Sequence, residues 1–101
     1  MIELLALPDW RVLETRMSAW VGAIEGQGFV VTLVRESTGV SWLEVKSLEI
    51  RGYAVTAGEN VEAINFEVGG SDPGAARGVL EVGATALGWE LSVDDDDETD
   101  D

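Results

Sequence analysis

The chain has 101 residues, 46% of them hydrophobic, with 20 acids against six bases and a formal net charge of −14. Its size suits one domain with a real core, and its apolar content is too high for a disordered chain. Cysteine and histidine are both absent, which excludes a disulfide framework, a thiolate zinc site, a thiol nucleophile and the usual neutral-pH acid–base group.

The opening run Met1-Ile2-Glu3-Leu4-Leu5-Ala6-Leu7-Pro8 carries an acid where a secretory signal needs positive charge, and it is short for one. No apolar stretch reaches the ~20 residues that span a bilayer. The expected location is cytoplasmic.

Pro8 and Asp9 suit the first turn of a helix. Trp10, Leu13, Met17, Trp20, Val21 and Ile24 then recur at three- and four-residue intervals, which predicts an amphipathic helix over 8–25. Gly26-Gln27-Gly28 closes it. Residues 29–35, Phe29-Val30-Val31-Thr32-Leu33-Val34-Arg35, are rich in β-branched side chains and apolar on both faces, as in a strand between two layers. Glu36-Ser37-Thr38-Gly39 turns the chain into a hairpin with the next strand.

From Val40 onward, Val40 and Trp42 alternate with Leu43 and Val45. The phase slips near Lys46-Ser47 and resumes at Leu48 and Ile50, which predicts a bulge or short turn. The strand continues through Ala57, and Gly58-Glu59-Asn60 reverses it. Ile64, Phe66 and Val68 alternate with Asn65 and Glu67 as in a half-buried strand. Gly69-Gly70-Ser71-Asp72-Pro73 starts a second helix, 73–87, with Ser71 or Asp72 as its cap and Gly88 as its stop. Trp89, Leu91 and Val93 share one face of a last strand.

The expectation is a single α+β domain over 1–93, in the order α-β-β-β-β-α-β. Its mainly antiparallel sheet of four to five strands is packed by two helices. Two helices about a central meander broadly resemble the double-stranded-RNA-binding domain. That family grips phosphates with bases at the start of its second helix, where this chain has only Arg77 behind Asp72, so the resemblance is set aside.

Gly69 to Gly74 has the glycine spacing of a phosphate-cradling loop, but Ala75 and Ala76 stand where lysine and a hydroxyl are needed. Asp72 moreover puts negative charge where an anion would sit. The segment is a cap and turn, and no cofactor is expected. Glu44, Glu49, Glu62, Glu67 and Glu90 fall on predicted strands, mostly facing solvent, with nothing to pair them across a pocket. Ser41, Ser47 and Ser71 have no histidine base. The chain therefore reads as a non-enzyme without a metal site.

Asp94, Asp95, Asp96, Asp97, Glu98, Asp100 and Asp101 place seven carboxylates in the last eight residues. Self-repulsion predicts a disordered tail over 94–101. The body holds the other 13 acids against six bases, so the charge divides evenly between body and tail. Such a surface repels nucleic acid and anionic lipid and attracts basic proteins.

One lysine among 20 acids also resembles the composition of proteins from salt-loaded cytoplasms, where acidity serves solubility. The function expected is an acidic protein-binding or adaptor module for a basic partner. The alternatives are an immunity or inhibitor protein that mimics phosphate charge against a basic toxin or nuclease, and a salt-adapted domain of unknown role. Partner contacts are assigned to the tail acids and, as a candidate, to Trp42, which shares a strand face with Glu44 and Lys46, although core packing is the favoured reading of Trp42. Trp10, Trp20 and Trp89 are assigned to the core. Ala75, Ala76, Val79, Leu80, Val82, Ala84, Ala86 and Leu87 encircle the second helix. That is more apolar surface than one sheet face needs, so the excess is buried either under the first helix or against another chain, and the expectation is a homodimer through helix 73–87.

Overall fold

Ile64, Phe66 and Val68 are buried while Asn65 is exposed and Glu67 half-buried, so their strand lies with one face in the core and one toward solvent. The computed structural model describes residues 2–35 and 41–93. Within them the order is β1 (Ile2–Pro8), α1 (Met17–Glu25), β2 (Thr32–Arg35), β3 (Ser41–Val45), β4 (Ile50–Ala57), β5 (Asn60–Val68), α2 (Pro73–Leu87) and β6 (Trp89–Val93). The six strands form one sheet in the order β2-β3-β4-β5-β1-β6, with every neighbouring pair antiparallel. The architecture is α+β, with six strands rather than four or five.

Register carries the core across the sheet. Leu4 lies opposite Phe66, Phe66 opposite Gly52 and Gly52 opposite Leu43. Together with Ala6, Val45, Ile50, Ile64 and Val68, these form the buried face. Phe66 fits there because Gly52 has no side chain, and a Cβ at that position would stand 2.6 Å from Phe66 Cε1. Trp20 of α1 fills the centre, tilted against Phe66 at 5.3 Å and edge-on to Trp89 at 5.4 Å, the geometries aromatic quadrupoles favour. Ala76, Val79, Leu80, Gly83 and Ala84 of α2 close the same core. The helices touch closely at Gly83, where a Cβ would lie 3.3 Å from Trp20 Cζ3. Gln27 ties them again, donating from Nε2 to the carbonyls of Ala23 and Val79 at 3.2 and 3.0 Å.

The second helix matches its expected bounds. Asp72 caps it, its carboxylate accepting from Ala75 N–H at 3.2 Å, and Gly88 ends it in the left-handed region at φ 77°. The first helix does not. It begins at Met17 rather than Pro8, and residues 2–8 form a leading strand. Pro8 instead ends β1 opposite Trp89, where a missing N–H costs no ladder bond.

Residues between Pro8 and Met17 are committed to tertiary bonds. Asp9 N–H donates to Gly88 O, Thr15 N–H to Asn60 Oδ1 at 3.0 Å, and Val61 N–H to Thr15 O at 2.7 Å. Trp10 and Leu13 are consequently 87% and 95% exposed, which corrects the assignment of Trp10 to the core.

The strand expected over 29–35 shortens to Thr32–Arg35 and lies at a sheet edge, not between layers. The phase slip at Lys46-Ser47 is a 3-10 turn, Lys46–Leu48, that exits through Glu49 in the left-handed region. α1 does stop at Gly26, although the residue with positive φ is Gly28. The turn read at 36–39 and the tail at 94–101 lie outside the described residues.

Candidate interaction surface

Both helices pack on one face of the sheet, so among the described residues the opposite face is uncovered. Such a face is ordinarily polar. Here the register sets two contrasting rows side by side. One runs Glu3, Glu67, Arg51, Glu44, Thr32 from β1 to β2. The other runs Ser92, Leu5, Asn65, Tyr53, Trp42, Val34 from β6 to β2. Leu5, Tyr53, Trp42 and Val34 are half-buried, while Leu7 and Val55 on the same face are 44% and 51% exposed. An apolar, partly aromatic band thus borders an acidic row.

Trp42 and Tyr53 are cross-strand neighbours with ring centroids 6.0 Å apart. The pair holds Trp42 on the uncovered face beside Glu44, as its strand phase predicts, and half-buried rather than in the core. The Arg51 guanidinium is raised above its ordinary pKa, first by the Tyr53 phenol and then by the Glu44 carboxylate, which it meets at 3.4 Å. Arg51 and Glu44 form a surface ion pair. Among the described residues neither Glu3 nor Glu67 makes an ion pair, although they stand directly opposite each other.

Two hollows lie on either side of Glu67. One of about 390 Å³ is lined by Glu44, Lys46, Glu49, Arg51, Glu67 and Gly69. The other, of about 340 Å³, is lined by Glu3, Tyr53, Asn65, Phe66 and Glu67. Three of the five glutamates read as scattered solvent positions are therefore brought together. Glu49 among them sits in the turn rather than on a strand. Glu62 is the extra residue of a β-bulge, where Val55 pairs with Ala63 but Thr56 with Val61. Glu90 lies opposite Leu7.

Asp94, Asp95, Asp96, Asp97, Glu98, Asp100 and Asp101 lie outside the described residues. On α2 the apolar excess divides. Ala76, Val79, Leu80 and Ala84 are buried, Leu87 is half-buried, and Ala75, Val82 and Ala86 remain exposed. The chemistry expected of the 69–76 segment is a cap, and Asp72 fills that role.

Among the described residues there is no grouping of three or more carboxylates placed to hold a metal ion, and no helix is long and apolar enough to cross a membrane. Sequence reasoning missed Glu3, Leu5 and Leu7 because Ile2–Pro8 was not read as a strand. It missed the partnership of Tyr53 with Trp42 because register is not local information. The one available signal was the acid at Glu3, out of phase with Leu4. No protein-family model, curated protein or solved structure matches this chain.

Proposed function

We propose that this protein is a non-enzymatic binding module for a basic protein partner, and that the uncovered sheet face contributes to the contact. The observation that supports this reading most is the apolar band of Leu5, Tyr53, Trp42 and Val34 beside the glutamate row. Aromatic side chains and arginine anchor interfaces, and complementary charge steers encounter.

The ion-pair inventory adds to it. Among the described residues, four of the six bases are paired at the surface, with Asp9, Glu59, Glu44 and Glu81. With 20 acids against six bases, most of the negative charge has no base within the chain to balance it. The test is retention on immobilised basic, neutral and acidic peptides of equal length. The expected result is retention by the basic peptide alone, lost steeply as ionic strength rises. Equal retention by all three, or retention indifferent to salt, contradicts the reading.

Self-association through α2 is a second reading. It is favoured by Val82, 55% exposed on a shallow surface it shares with Gly78, Glu81, Thr85 and Ala86. Charge repulsion between copies makes any such dimer stronger at high salt. Sedimentation at two ionic strengths decides it, and a monomer at both removes it.

A further inference from the structure

Glu3 and Glu67 are directly opposed on neighbouring strands, and the Cβ atoms of such pairs lie about 5 Å apart. Like charges so placed oppose folding. The nearest cation in the row, Arg51, is engaged by Glu44 on its other side. The hollow beside the two glutamates is lined by Glu3, Tyr53, Asn65, Phe66 and Glu67, and Tyr53 and Asn65 are themselves register partners. The lining residues therefore offer two anionic acceptors, an amide oxygen and an aromatic side chain, and include no cation, the neighbouring Arg51 being engaged with Glu44 and the Tyr53 phenol.

Resting on the proposed binding of a basic partner, we infer that this hollow seats one arginine side chain of that partner. Its planar guanidinium carries five N–H donors in a fixed fork, enough to reach both carboxylates and the Asn65 amide oxygen. The same plane can lie on the Tyr53 ring, an arrangement an ammonium matches less fully. Trp42, packed on Tyr53, and Leu5, beside Asn65, then meet apolar surface around the anchor. A second copy of this chain fits the face poorly, because it brings Glu3, Glu44, Glu67 and Glu90 against the same residues and its own Arg51 is already paired.

The test is an amide-resolved NMR titration of the full chain with a short peptide alternating arginine and serine. A lysine–serine peptide and calcium chloride are titrated in parallel. The expected result is saturable shifts centred on Glu3, Tyr53, Asn65 and Glu67, tighter for arginine than for lysine. Glu3→Gln and Glu67→Gln each weaken binding about three- to fivefold, while Glu62→Gln, on the bulge, leaves it unchanged.

Shifts centred on other residues, or equal losses from Glu62→Gln, overturn the arginine seat while leaving a basic partner in place. Binding by neither cationic peptide contradicts both. Shifts at these four residues produced by calcium, or by raising protein concentration alone, replace the arginine with a metal ion or a second copy. The amide spectrum of each variant also reports whether it is folded.

Discussion

The indole N–H of Trp89 donates to the hydroxyl of Thr15 at 2.9 Å, joining residues 74 positions apart inside the core. Thr15 also bonds through both backbone groups to β5, so one residue fixes the loop between β1 and α1 to the sheet. Thr15→Val keeps the shape and leaves the buried indole donor unpaired, with an expected loss of about 1–3 kcal/mol. Thr15→Ser keeps the hydroxyl and should lose less, about 0.8 kcal/mol for the missing methyl. Chemical denaturation followed by tryptophan fluorescence measures both.

Gly52 and Gly78 should respond oppositely to alanine. A Cβ on Gly52 would meet Phe66 at 2.6 Å, and overpacking of that kind costs about 1–3 kcal/mol. A Cβ on Gly78 meets nothing within 4 Å, and the helix gains about 0.5–1 kcal/mol from the replacement. Thermal melts of the two variants, shifting in opposite directions, check the packing of sheet and helix together.

The tryptophans separate by role. Trp20, fully buried against Phe66 and Trp89, should cost about 3–5 kcal/mol when cut to alanine. Trp10→Ala should change stability by no more than about 0.5 kcal/mol. A large loss at Trp10 would restore it to the core and extend α1 back toward Pro8.

Residues 94–101 contain no apolar side chain to bury, and their mutual repulsion opposes compaction. Truncation after Val93 is expected to leave the melting temperature unchanged or slightly raised at low salt. It should also flatten the salt dependence of peptide binding by removing half of the net charge. A fall of many degrees would show that the segment stabilises the body.

The second half of the fold was legible in the chain because its signals are local. Pro73 behind Asp72, Gly88, and the alternation at Ile64, Phe66 and Val68 each act within a few residues of themselves. The first half misled because Trp10 and Leu13 fall on the helical stripe of Met17, Trp20 and Ile24, although their segment is held by bonds to Asn60, Val61 and Gly88. A run such as Ile2–Pro8, apolar on both faces, has no period of its own to read. The candidate surface was legible only at Trp42. The face belongs to register, and register pairs Glu3 with Glu67 across 64 residues of chain.

Calorimetric titration of the arginine–serine peptide at low ionic strength, into the native chain, Trp42→Ala and Val82→Ala, most directly distinguishes the uncovered sheet face from the other exposed surfaces. Trp42→Ala should weaken binding about tenfold or more, as removal of an aromatic anchor does, while Val82→Ala leaves it unchanged. Unchanged affinity in a folded Trp42→Ala, or a loss confined to Val82→Ala, would contradict binding at the sheet face.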